Sequence, residues 1–164
     1  MHAYELIGYQ PEKNYKFFTI KDRISDVGYS IQNEVIQKLQ KENFSVSCHQ
    51  AHHRLLNIGG KIVSFVVCRH IPKDKWGGTR WMGESGPRIR LSDFVLIIRM
   101  DSSNEHPSRY YLAPSTKMPK INIRLPSVRG MVIDEFLYRT LDELCGDLIK
   151  LCAETTSSYE VPLI

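Results

Sequence analysis

A chain of 164 residues with 42% hydrophobic residues, ten glycines and eight prolines has the size and make-up of one globular domain, neither fibrous nor disordered. No apolar run approaches the ~20 residues that span a bilayer. Residues 1–14 lack the basic start and apolar stretch of a signal peptide, so a cytoplasmic protein without membrane contact is expected. The net charge of +4 is unevenly spread: residues 54–129 hold fourteen Lys and Arg against five acids, whereas residues 130–164 hold two against seven. A basic centre fits either an anionic partner or a solvated face.

Residues 2–9 alternate weakly, as a peripheral strand would. Over 22–42 the apolar positions Val27, Ile31, Val35, Ile36 and Leu39 recur mostly three or four apart, which predicts an amphipathic helix with Asp22 or Ser30 as its N-cap. Asn43 is its expected stop, and residues 44–48 alternate as a strand. Residues 55–58 and 62–68 flank Gly59-Gly60, a two-residue hairpin signal because both turn positions call for positive φ. The second of these strands, IVSFVVC, is almost wholly apolar and is expected to be central, covered on both faces. Residues 71–87 carry two prolines, four glycines and both tryptophans, the marks of a long irregular segment.

A strand follows at 93–99, a turn over 101–108 and an antiparallel partner at 109–113. Residues 114–130 read as a loop with a short strand at 121–125. Helical spacing returns over 131–153, with Gly146 a point of kinking or division. One domain over 1–164 is expected, its core at about 22–153, with a flexible tail over 154–164 whose apolar end is a candidate docking segment. Cys48, Cys68, Cys145 and Cys152 are read as free thiols, the last two as small buried hydrophobes on one helical stripe.

Helix, strand, hairpin, loop, then DFVLIIRMD followed by YYLAPS resembles the PD-(D/E)XK nuclease superfamily. Glu34 in SIQNEVIQKL matches that family's helix glutamate, and RLLNIGGKIVSFVVCR resembles its hairpin; the likeness covers about residues 22–115. It implies an α/β fold, a central mixed β-sheet flanked by helices with a restriction-endonuclease-like core. It also implies where cutting groups belong: an Asp on the first hairpin strand, then Glu or Gln and a Lys on the second. Arg54 stands at the Asp position, and the other two positions fall on Val63 and Phe65 or on Ser64 and Val66, according to register. Apolar groups there do not hold Mg²⁺, which takes oxygen ligands. The resemblance therefore implies a degenerate active site, and no catalytic residue, metal ligand or cofactor is assigned.

Lys73, Lys75, Trp76, Arg80, Trp81, Arg88 and Arg90 interleave cations with indoles, a mixture that suits nucleic acid because cations neutralise phosphates while bases stack on aromatic faces. Lys73, Lys75, Arg80, Trp81, Arg88 and Arg90 are the candidate nucleic-acid-binding residues, with DNA favoured over RNA. The competing reading is that the tryptophans plug the edge of the core. Cys48, His49, His52, His53, Cys68 and His70 form a candidate zinc cluster, since antiparallel pairing about Gly59-Gly60 sets His49 opposite His70. That spacing matches no zinc-finger pattern, and histidines at strand ends are more often simply polar caps. Glu34, Asp93 and Asp101 read as a helix-surface residue, a strand-start cap and a turn opener.

The leading functional reading is a catalytically inactive, nuclease-like, nucleic-acid-binding subunit of a larger complex. A mobile element or antiphage defence system is the context that the resemblance alone implies. Two alternatives stay open: a protein–protein interaction module with no nucleic-acid contact, and a metal-dependent nuclease using a non-standard site.

Overall fold

Helix α1 (Lys16–Lys41) lays Ile31, Val35 and Leu39 into the core, with Ile24, Val27 and Ile36 packed beside them. It starts earlier than its apolar stripe predicts, so Asp22 and Ser30 lie inside it and cap nothing. Asn43 ends it as expected, at φ 62°, while the Phe44 amide donates to the Leu39 carbonyl at 3.0 Å. The computed structural model describes residues 16–50, 52–72, 80–84, 86–119, 122–125, 127–128 and 131–156. The strand expected at 2–9, Lys73, Lys75, Trp76 and the apolar end at 161–164 lie outside the described residues.

Among the described residues ten strands follow one another: β1 (Val46–His49), β2 (His52–Ile58), β3 (Lys61–Ile71), β4 (Arg80–Glu84), β5 (Phe94–Met100), β6 (Pro107–Pro114), β7 (Asn122–Leu125), β8 (Ser127–Val128), β9 (Met131–Val132) and β10 (Leu137–Tyr138). The main sheet runs β1-β2-β3-β5-β6-β10. Its β3 and β5 are parallel and the other neighbours antiparallel, so the expected α/β class with a central mixed sheet holds. Gly59 and Gly60 form the predicted turn, at φ 55° and 84°, and bring Ile58 opposite Lys61.

β3 is central, as its composition foretells. Val63, Phe65 and Val67 face the helices with Leu96, Ile98 and Met100; Val66 and Cys68 face the other way, with Val95, Ile97 and Tyr111. Helix α2 (Leu141–Thr156) shares the first face with α1, through Leu144, Cys145, Leu148 and Cys152. The second face is covered by strands and short 3-10 turns: Ile89, Met118, Ile123, Leu125 and Ile133 close it.

Two segments differ from expectation. The stretch 71–87 contains a strand, β4, which pairs with the end of β3 and with β7. Gly83 makes this possible: a Cβ there would fall 2.7 Å from both Cys68 Sγ and Val66 Cγ1. The second helix begins at Leu141, well after residue 131. Thr140 Oγ1 accepts from the Glu143 amide at 3.2 Å, while the Glu143 carboxylate accepts from the Arg139 amide at 3.1 Å and the Thr140 amide at 3.4 Å. That reciprocal capping box fixes the start, and residues 131–138 form β9, a 3-10 turn and β10 instead. The helix runs unbroken through Gly146. No helix among the described residues is long and apolar enough to cross a membrane.

Candidate nucleic-acid interface

Five elements close around a cleft of about 220 Å³ at one end of β3. Helix α1 supplies Lys21, Ile24 and Ser25; β2 supplies Arg54; β3 supplies Val67 and Arg69; β4 supplies Met82 and Glu84; the 3-10 turn Pro87–Leu91 supplies Arg88. Strand alternation explains the arginines. Leu56, Ile58 and Val67 face the helices, so a two-residue period carries Arg54 and Arg69 to the same face, where the apolar core ends. Gly28 lets α1 approach this point closely. A Cβ on it would lie 3.2 Å from Val67 Cγ2 and 3.6 Å from Arg54 Nη1, so helix and sheet touch at the floor of the cleft.

Arg54 is half-buried and donates through Nη2 to Ser25 Oγ at 2.9 Å. Its guanidinium carbon lies 5.5 Å from the ring centre of the exposed Tyr29, which stacks on His53 at 5.4 Å. Arg88 donates through Nη2 to the Glu84 carbonyl at 2.9 Å, while its Nε is buried with no partner among the described residues. Burial lowers the pKa of Arg88, the charge of Arg54 lowers it further, and Glu84 opposes them. Two guanidinium groups therefore repel across the cleft. Four cations and one carboxylate line it. Among the described residues no carboxylate lies within ion-pair distance of Lys21, Arg54 or Arg88. Guanidinium forks stay charged at any working pH and match the oxygens of phosphate or carboxylate, so the arrangement is an anion receptor.

The structure brings Arg54 and Arg88 together, two residues the sequence had singled out for different reasons. Arg80 and Arg90 are exposed on β4 and the 3-10 turn. Trp81 is half-buried: its Nε1 donates to the Met100 carbonyl at 2.8 Å, the Arg99 guanidinium lies 3.6 Å over its ring, and His70 packs at 5.2 Å. Those contacts match the plug that sequence offered as the competing reading. Glu34 pairs with Lys38 at 3.5 Å and does not line the cleft. Val63, Ser64, Phe65 and Val66 are all within 1% of fully buried, in the middle of the sheet. Asp93 accepts the Ile62 amide at 2.8 Å, and Asp101 accepts from Ser103 Oγ and the Glu105 amide at 2.9 Å, the strand-start and turn roles expected of them.

The histidines and cysteines separate. His49 pairs with His52 across the β1–β2 turn, their rings 6.2 Å apart, whereas His70 lies opposite Trp81 on β4. The chain reverses after β1, so the pairing about Gly59-Gly60 never extends back to residue 49. Among the described residues no three His, Cys, Asp or Glu side chains gather as metal ligands.

Sequence reasoning missed Lys21, Ser25, Arg69 and Glu84. Arg69 was readable, two residues beyond Val67 on a strand whose alternate residues face the helices. Glu84 was hidden by the glycine-rich segment around it.

No family model matches the chain, and no curated protein matches it. Among solved structures it is similar to a bacterial homing endonuclease, with 14% sequence identity and a TM-score of 0.44 over 80% of this chain and 95% of that chain.

Proposed function

We propose that this chain is a nuclease-like domain that binds nucleic acid without cutting it, with the cationic cleft as its phosphate-binding centre. One observation carries the reading: Lys21, Arg54, Arg69 and Arg88 converge from four elements on a space with Glu84 as its one lining carboxylate. A phosphate backbone is the abundant polyanion that such a field attracts, and DNA is preferred to RNA on the resemblance. Arg80 and Arg90, exposed on β4 and the 3-10 turn, add basic surface, and Lys73 and Lys75 belong to the same proposed set. A divalent cation entering the cleft would meet four positive charges, and the positions where the resemblance expects a second and third cutting group are core. The reading includes a single cytoplasmic domain working as a subunit beside a protein partner, with mobile-element or defence systems as the context by analogy.

Fluorescence anisotropy with labelled single-stranded and duplex DNA and RNA tests it. Binding is expected to weaken steeply between about 50 and 200 mM salt, and each of Arg54→Glu and Arg88→Glu should lower the salt slope by about 1. Salt-independent binding, or unchanged affinity in both variants, removes the proposal. Cleavage of any of these strands by the unaltered protein with Mg²⁺ or Mn²⁺ removes its non-cutting part.

A further inference from the structure

The cleft is blind. At its floor α1 and β3 are in contact, since a Cβ at Gly28 would meet Val67 at 3.2 Å, and the donors stand around the walls on α1, β2 and the turn that carries Arg88. About 220 Å³ is several waters' worth of space, room for one phosphate and part of the sugar behind it.

Charge gives an independent reason. Lys21, Arg54 and Arg88 carry three positive charges with no carboxylate partner among the described residues, and Arg88 keeps a buried Nε unpaired. An internal phosphodiester brings one negative charge and two non-bridging oxygens. A phosphomonoester near pH 7 brings about −1.5 to −2 and three terminal oxygens. The monoester supplies a separate terminal oxygen to each of the three cationic side chains and comes closer to balancing their charge. Glu84, on the same wall as Arg88's hydrogen bond, repels any anion that enters, so this balance sets the affinity.

We infer that the cleft binds a terminal phosphomonoester, the phosphorylated end of a nucleic-acid strand, with Arg54 and Arg88 as its guanidinium ligands and Lys21 as the third cation. This rests on the nucleic-acid reading above.

The test uses the full chain and five probes: one oligonucleotide with a 5′-phosphate, with a 3′-phosphate and with hydroxyl ends, inorganic phosphate, and a phosphoserine peptide. One phosphorylated end is expected to bind about tenfold or more tighter than the hydroxyl-ended strand, with inorganic phosphate competing. Arg54→Met or Arg88→Met should abolish that preference, with folding checked by circular dichroism. Glu84→Gln, which leaves the Arg88 hydrogen bond to the Glu84 backbone in place, should tighten binding of the phosphorylated end several-fold. Equal affinity for phosphorylated and hydroxyl ends overturns the inference and leaves the nucleic-acid reading standing. No change on Glu84→Gln also overturns it. A phosphopeptide that binds while every oligonucleotide fails overturns both.

Discussion

Between Val63 and Cys68, β3 is dry on both sides, with Phe65 beneath the helices and Val66 and Cys68 beneath β4 and Gly83. At Val67 and Arg69 the same strand borders a cleft in which three guanidinium groups and an ammonium face a single carboxylate. The first region is nearly everything a fold needs: apolar area removed from water at roughly 25 cal/mol per Å², with the buried Ser64 hydroxyl, unpartnered among the described residues, as its one polar side chain. The second region works against the fold, because Arg54 and Arg88 repel and Arg88 is partly desolvated. Repulsion between like charges is not where this fold draws its stability, and the proposed anion is what would offset it. The resemblance would put ion-holding groups in the first region, and the burial of Val63, Ser64, Phe65 and Val66 gives that stretch to the core instead.

The comparison predicts opposite responses to substitution. Phe65→Ala should have the largest effect, a loss of about 3–5 kcal/mol in urea denaturation, because a fully buried ring leaves a cavity between α1 and the sheet. Nucleic-acid affinity of the fraction that remains folded should be unchanged. A loss below about 1 kcal/mol would place Phe65 outside the close-packed core.

Gly83→Ala probes the border between the two regions. Its Cβ would press on Cys68 Sγ and Val66 Cγ1 at 2.7 Å and on the Val67 carbonyl at 2.9 Å, so β4 must lift, at a cost of about 1–3 kcal/mol. Because β4 also carries Met82 and Glu84 into the cleft, affinity should change together with stability. Unaltered stability would show that β4 does not lie across β3 as described.

The first region was legible and the second only in pieces, for physical reasons. An unbroken apolar run and a Gly-Gly turn are local signals, and β3 and its hairpin follow from them directly. Alternation along β3 also reaches Arg69. The start of α2 was legible too, in Thr140 and Glu143, but the apolar positions from Val132 to Leu137 imitate a helix and are instead short strands and a 3-10 turn. The cleft depends on which strand lies across which. β4 crosses β3 through a glycine whose reason is steric and lies fifteen residues back in the chain, at Cys68. Nothing local announces that Lys21, Arg54 and Arg88 share one space. Trp81 carries two readings for the converse reason: a cation beside an indole suits base stacking, whereas the Arg99 guanidinium over its ring and its bond to the Met100 carbonyl suit a plug at the edge of the core.

Arg88→Met sharpens the contrast by reversing the sign. Removing a half-buried cation that repels Arg54 and holds an unpaired Nε should raise stability, by about 0.5–1 kcal/mol once solvent screening is allowed for. The same change should abolish preference for a phosphorylated end. A variant both less stable and fully competent to bind would mean that Arg88 serves the fold, through its bond to the Glu84 carbonyl, rather than a ligand.

Gly28→Ala should have the smallest effect on stability and is the sharpest test of the cleft floor. An interior helical glycine replaced by alanine ordinarily gains about 0.8–1 kcal/mol in helix propensity. Here the new methyl meets Val67 Cγ2 at 3.2 Å, closer than ordinary contact, and must push α1 or the valine aside by a few tenths of an ångström. The two terms offset, so thermal and urea unfolding should agree with the parent within about 0.5 kcal/mol. The methyl also stands 3.6 Å from Arg54 Nη1, so the guanidinium shifts and affinity for a phosphorylated end falls although stability does not. A full gain of about 1 kcal/mol with affinity intact would mean that α1 and β3 stand apart at this point.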